Sequence, residues 1–181
     1  RKFLQDNSYL FNRIIAEKKF EYVEKFSESL FTREIIEEYG DSLIEYFSEK
    51  RLIPYCLQRN SLLLEKCYEK RIEKTILQFY ESAYTDEIIN KYYDVILEII
   101  KNNNDEIAYS LQSPPLFKRF LKEKKYDYIN KMQSLNLREK DILENYDDIE
   151  TIVNLDINSN FAIKMSKSIT FIEKYLEIWL G

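Results

Sequence analysis

The sequence predicts an all-α protein, an α-solenoid of short antiparallel helix pairs repeating about every 20–24 residues. Three observations carry this. The 181 residues include only two Gly and three Pro, so tight turns and β-hairpins are poorly served. Apolar residues fall in triplets at helical spacing, separated by short polar runs. And LFNRIIAEKKFEYVEKF, at 10–26, is nearly rewritten as LFKRFLKEKKYDYINKM, at 116–132.

In the first copy Phe11, Ile14 and Ile15 form one stripe and Tyr22, Val23 and Phe26 a second, with Glu17, Lys18 and Lys19 between them. This predicts two short antiparallel helices joined by a polar turn, neither long enough to stand alone in water. Sliding the template along the chain gives a second unit at Phe31, with its turn at Gly40 and Asp41. A third starts at Leu52, its first stripe holding Tyr55 and Cys56 and its second Leu63, Leu64 and Cys67. A fourth starts at Ile72, a fifth at Ile96 with a turn at Asn103, and a sixth at Phe117 with a turn at Lys124. Ile14, Ile99 and Phe120 become equivalent core positions. The clear units cover 10–132 and two looser ones 137–180, and the chain reads as a single array over 1–181. Units this small bury their apolar faces only by stacking on neighbours. Pro54 suits the first turn of a helix, and Pro114 and Pro115 a boundary between units. Trp179 is expected to cover the end of the array or to mark where repeats once continued.

Composition removes several functions. The chain has no His, which excludes Ser–His–Asp and Cys–His catalysis and imidazole zinc sites. Cys56 and Cys67 have no second pair for a thiolate site and read as small core residues in a reducing, cytoplasmic protein. No apolar run is long enough to span a membrane, and no signal-peptide pattern opens the chain. It begins at Arg1 rather than Met, as expected of a trimmed chain or a piece of something longer. A net charge of −5 gives no general attraction to nucleic acid or anionic lipid. The basic cluster Lys118, Arg119, Lys122, Lys124 and Lys125 is interleaved with Phe117, Phe120 and Tyr126, but those aromatics, like Tyr55 and Tyr128, fall on core stripes. Glu37 and Glu38, and Asp147 and Asp148, lack a third ligand for a metal, and the latter pair suits the first turn of a helix. No catalytic residue, metal, cofactor or small-molecule substrate is expected.

One surface pattern is a candidate site. Two positions after each leading apolar residue stand Arg13, Arg33, Pro54, Lys74, Glu98 and Arg119. Four are basic in an acidic chain. Regular stacking would align Arg13, Arg33, Lys74 and Arg119 into a row suited to an acidic stretch of a protein partner.

The units resemble ankyrin repeats. ILEIIKNNNDEIAYSL and FNRIIAEKKFEYVEKF share the ankyrin cadence: a leading aliphatic, a close-packed pair, a polar turn, then apolar residues. The Thr-Pro-Leu-His opening, the Gly-His turn, the small Ala pairs and the hairpin between units are absent, so the likeness concerns the two-helix core over 10–132, and a HEAT-like array stays open. The resemblance implies a non-enzymatic module binding proteins on a concave face lined by first helices. The alternative is a spacer or component of a larger assembly.

Overall fold

The computed structural model describes residues 6–103, 107–133 and 135–180; of Trp179 only the backbone is described. Among these residues the chain is helical throughout, with no strand. The helices are α1 (Ser8–Ala16), α2 (Arg33–Lys50), α3 (Ser61–Glu69), α4 (Glu73–Ile76), α5 (Asp86–Asn102), α6 (Pro114–Lys122), α7 (Tyr126–Asn130), α8 (Glu139–Glu144), α9 (Tyr146–Leu155), α10 (Asn160–Met165) and α11 (Ile169–Leu180). Short 3-10 segments lie in connections before α6, at Phe20–Lys25, Glu28–Leu30, Tyr55–Leu57, Glu81–Ala83 and Tyr109–Leu111. The polypeptide divides into two compact units, Arg1–Val95 and Ile96–Gly181.

The local period differs from the predicted one. Asn7, Asn60 and Ser113, each 53 residues from the next, cap α1, α3 and α6 by accepting from the N–H of Leu10, Leu63 and Leu116. Two residues past the end of each of these helices stands a left-handed residue: Lys18, Arg71 and Lys124, at φ of 53°, 54° and 53°. The next N–H, from Lys19, Ile72 and Lys125, reaches back to the carbonyl of Ile14, Cys67 and Phe120. This is a Schellman closure, made three times over with Lys or Arg in place of the usual Gly. The kink inside α5 at Tyr92 (φ −114°, ψ 19°) recurs 53 residues later at Asn145 (φ −122°, ψ 25°), which separates α8 from α9. The true repeat is therefore 53 residues long, with α1, α3 and α6 as its first helices.

Five steps of about 21 residues were fitted where four helix-pair spacings exist. Apolar stripes on first and second helices look alike in sequence, so the template slid by half a unit after Phe31. Leu63, Leu64 and Cys67 belong to a first helix, α3, rather than to a second. Ile14 and Phe120 are equivalent, but Ile99 corresponds to Tyr46 and Ile152. The expected turn at Gly40 and Asp41 is absent: α2 runs unbroken across it, with Gly40 buried inside the helix. Tyr55 is 62% exposed on its 3-10 turn rather than in the core.

In the first unit, α2 packs on α3, α3 on α4, and α1 on the 3-10 segment that follows it. Phe11 anchors the N-terminal end, its ring edge-on to Phe26 (5.3 Å) and Phe31 (4.9 Å). Ile15, Val23, Ile36, Leu43, Ile44, Leu57, Leu63 and Leu64 are fully buried, each contributing about 1.5–3 kcal/mol of transfer free energy. In the second unit, α6 packs on α7, α9 on α7, α8 and α10, and α11 on α8. Phe117 meets Phe161 (5.9 Å) and Tyr146 stacks on Phe171 (5.3 Å). Pro114 and Pro115 open α6, where a missing N–H costs nothing.

Candidate functional site

The four predicted basic residues occupy three different template positions. Arg13 and Arg119 are each the sixth residue of a first helix, α1 and α6, and Lys66 holds that place in α3. Arg33 opens α2, and Lys74 lies in α4. Arg13 and Arg119 carry the same clamp: each Nε donates to a glutamate one turn on, Glu17 or Glu123, at 2.8 Å. Lys19 and Lys125 reach the other oxygen of the same carboxylate, at 2.6 and 3.0 Å. Arg13 and Lys19 together hold the Glu17 carboxyl down to about 2, and the Arg13 guanidinium is raised in turn by Glu17. In the middle copy Lys66 and Lys70 turn instead to Asp41 on α2, at 3.6 and 3.7 Å. Arg33 pairs with Glu37 at 3.4 Å. Arg13, Arg33 and Arg119 thus already hold carboxylates of their own.

A different feature recurs on the surface. IPYCLQ at 53–58 and IAYSLQ at 107–112 fold alike. In each, the Ile and the Leu are buried while the Tyr between them stands out, Tyr55 at 62% and Tyr109 at 59% exposure. The Gln side chain staples the loop by donating to the Ile carbonyl, Gln58 to Ile53 at 2.8 Å and Gln112 to Ile107 at 2.9 Å. The hydrophobic ends fix the loop, so the tyrosine is presented rigidly to solvent. The alternation of one apolar, one exposed aromatic and one apolar residue was visible in the sequence, but helical periodicity assigned Tyr55 to the core.

In the second unit Tyr109 borders a groove of about 1060 Å³. Beside the apolar Ala108 and Leu155, its walls carry polar groups: Asn130, Gln133, Asn158 and Asn160 bring carboxamides, and Asp127, Lys131 and Asp156 bring charges. Ser159 Oγ lies 3.0 Å from Asn130 Oδ1 and ties α7 to the cap of α10. Carboxamides offer a donor and an acceptor together, the pattern a peptide main chain presents.

In the first unit Tyr55 packs edge-on to Tyr80 (5.6 Å), and Arg59 lies against both rings, its guanidinium carbon 5.5 Å from each centroid. Arg59 has no counterpart in the second loop: Asn60 follows Gln58 after one intervening residue, whereas Ser113 follows Gln112 directly. Glu28, Glu81 and Ser82 border the same hollow.

The remaining candidates are structural. Cys56 and Cys67 are buried, and burial pushes both thiols up to about 12, away from the reactive thiolate. Cys56 Sγ faces the Val23 carbonyl at 3.5 Å. Within the basic cluster, Lys118 reaches Asp141 at 3.0 Å, and Phe117 and Phe120 are fully buried while Tyr126 and Tyr128 are half-buried. Asp147 and Asp148 lie in the first turn of α9, and Asp148 accepts from the Tyr126 hydroxyl at 3.0 Å. Among the described residues no three His, Cys, Asp or Glu side chains gather to hold a metal ion, and no helix is long and apolar enough to cross a membrane. Comparison of the chain with protein-family models, curated proteins and solved structures found no match.

Proposed function

We propose that the protein is a helical-repeat scaffold that binds a polypeptide partner along its loop edges. The observation that carries this reading is the pair of stapled loops bearing Tyr55 and Tyr109. Neither tyrosine fills the core of its loop, which the Ile and Leu do, yet both copies place one at the exposed tip. Tyrosine supplies rigid, amphipathic contact area with few rotamers to freeze. The carboxamide-lined groove beside Tyr109 adds the polar partners an extended chain needs. Stacked as an α-solenoid, with the ankyrin-like or HEAT-like pairing the sequence resembles, such loops would repeat along one extended face. Arg13, Arg33, Lys74 and Arg119 are the competing contact set, for a partner with an acidic stretch.

Affinity capture from the native cells, followed by calorimetry with the purified partner, tests this. Replacing both tyrosines (Y55S/Y109S) should weaken binding at least tenfold, about 1.4 kcal/mol, with the melting temperature kept. If charge reversal of Arg13, Arg33, Lys74 and Arg119 abolishes binding while Y55S/Y109S leaves it intact, the contact belongs to the basic set instead. Tight binding to duplex or single-stranded nucleic acid with a steep salt dependence would overturn protein recognition altogether.

A second reading, as a component of a larger assembly, is favoured by α11. Ile169, Ile172, Leu176 and Leu180 lie at i, i+3, i+7 and i+11 and are 40–81% exposed. Self-association in sedimentation, relieved by Leu176→Glu, would support it.

A further inference from the structure

We infer that Arg59, braced by Tyr55 and Tyr80, is an anchor for a carboxylate of the bound polypeptide, either an Asp or Glu side chain or a free C-terminus. The inference rests on the protein-binding reading above and names the chemistry that one site selects. The guanidinium lies against both tyrosine rings, and one of its five N–H groups is directed to the Tyr55 hydroxyl, Nη2 to Oη 3.3 Å.

The bracing is itself fixed. Tyr80 N–H donates to the Gln58 carbonyl at 2.8 Å, and Ile53 N–H donates to Gln78 Oε1 at 2.8 Å, so the Tyr55 loop and the Tyr80 segment are tied together at two points that flank Tyr55. An arginine already ordered by packing loses less freedom when it grips an anion, and its planar fork matches a carboxylate.

Two comparisons within the chain separate this residue from an ordinary surface arginine. Arg13, Arg33, Arg119 and Arg138 each hold an internal carboxylate. Among the described residues Arg51, Arg59 and Arg71 make no ion pair; Arg51 and Arg71 are left-handed residues that close helices, whereas Arg59 lies against two rings, with Glu28 and Glu81 lining the same hollow. The second copy of the loop keeps its buried Ile107 and Leu111 and its Gln112 staple with no residue at the corresponding place, so Arg59 is not needed to build the loop. Glu28 and Glu81 oppose any anion at this hollow, so the contact has to come from the guanidinium fork itself. Their charges penalise a doubly charged phosphate more than a singly charged carboxylate.

The test is NMR of the full 15N-labelled chain, following the Arg59 Nε–Hε signal and the backbone amides. The probes are acetyl-Gly-Ser-Glu-Ser-Gly-amide, its Gln counterpart, its phosphoserine counterpart, and the Gln peptide with a free C-terminus, each titrated to about 20 mM, a range suited to weak single contacts. The expected result is a saturable shift at Arg59 with the Glu peptide or the free C-terminus, at least fivefold tighter than with the neutral amide. Whichever of the two binds identifies the source of the carboxylate. Arg59→Gln should remove the preference and Arg59→Lys should weaken it, with the rest of the spectrum unchanged. Equal titration by Glu and Gln amides and the free-acid peptide, tighter binding of the phosphoserine peptide, or silence at Arg59 overturns the inference. Shifts at Tyr109 and Asn130 with every peptide, and none at Arg59, would leave the protein-binding reading standing and remove only the carboxylate.

Discussion

Lys66 lies flat across α2 at Gly40, where an added Cβ would stand 2.7 Å from the lysine Cδ and 3.0 Å from its Cε. A glycine inside a helix costs about 1 kcal/mol against alanine. Here it leaves a channel for the lysine stem, which carries Nζ to within 3.6 Å of Asp41. Gly40→Ala should raise stability by about 0.5 kcal/mol, because the helix gain exceeds the loss of a partly exposed ion pair. Lys66→Ala should cost about 1 kcal/mol in the parent, through lost stem packing, and about half of that in the G40A background. Urea denaturation of the double-mutant cycle measures this, and a coupling of zero would contradict the contact.

The left-handed residues offer the opposite kind of stabilisation. Lys18, Arg51, Arg71 and Lys124 all sit at φ of 53–56°, a conformation that costs a residue with a Cβ about 1–2 kcal/mol. Glycine at any of these four positions should stabilise by about 0.5–1 kcal/mol, after its larger unfolded-state entropy is subtracted. Thermal melts of the single variants, and of the K18G/R71G/K124G triple, provide the check. The triple should give nearly the sum of the three.

Asp141 predicts a pH dependence. It is fully buried at the third position of α8, accepting from the Arg138 backbone N–H and guanidinium and lying 3.0 Å from Lys118 Nζ. Arg138, aided by Lys118, holds its carboxyl well below the ordinary range despite its burial. A carboxyl lowered in the folded state contributes stability that is fully present above its unfolded value, about 3.9, and is lost as pH falls through the folded value. Asp141→Asn should therefore cost about 1.5–3 kcal/mol at pH 7, the range for hydrogen bonds to charged groups. The gap between variant and parent should narrow steadily below about pH 4, as followed by denaturation at a series of pH values.

Equivalent positions of the repeat are not equally buried. Phe120 is fully buried against Tyr128 (5.3 Å), whereas its counterpart Ile14 is only half-buried. Phe120→Ala should cost about 3–5 kcal/mol, and Ile14→Ala less than about 2. Equal losses in chemical denaturation would contradict that difference in burial.

Helical content was readable because it depends on local features: scarce Gly and Pro, and apolar triplets one turn apart. The buried Phe11, Ile15, Leu64, Phe117 and Phe120 follow directly from those triplets. The repeat length was not readable, since Leu63, Leu64 and Cys67 fit a first or a second helix equally well, and the 53-residue spacing of the Asn and Ser caps separates them; a left-handed residue does not, because Arg51 closes α2 as well. Asn7, Asn60 and Ser113 were signals in plain view, but Lys18, Arg71 and Lys124 were not, because nothing in a lysine or arginine announces positive φ. Gly40 misled in the other direction. A glycine beside an aspartate suggests a turn, whereas here it admits a neighbouring side chain. Arg59 has no place in a helical template, because it stands between the Gln58 staple and the Asn60 cap, where the second loop has no residue.

That one-residue difference has a consequence for how such chains acquire new specificities. The junction between the Gln staple and the next helix cap holds one residue in the first loop and none in the second, yet both loops keep the same buried ends. The extra residue is offset by one fewer before Ile53: Ile53 and Ile107 are 54 residues apart, while the caps Asn60 and Ser113 stay 53 apart. Recognition chemistry can be written at the junction one codon at a time, independently of the core. A single arginine inserted after Gln112 would transplant half of the Tyr55 and Arg59 pair beside Tyr109, making the stapled loop a portable mount whose cargo can be exchanged.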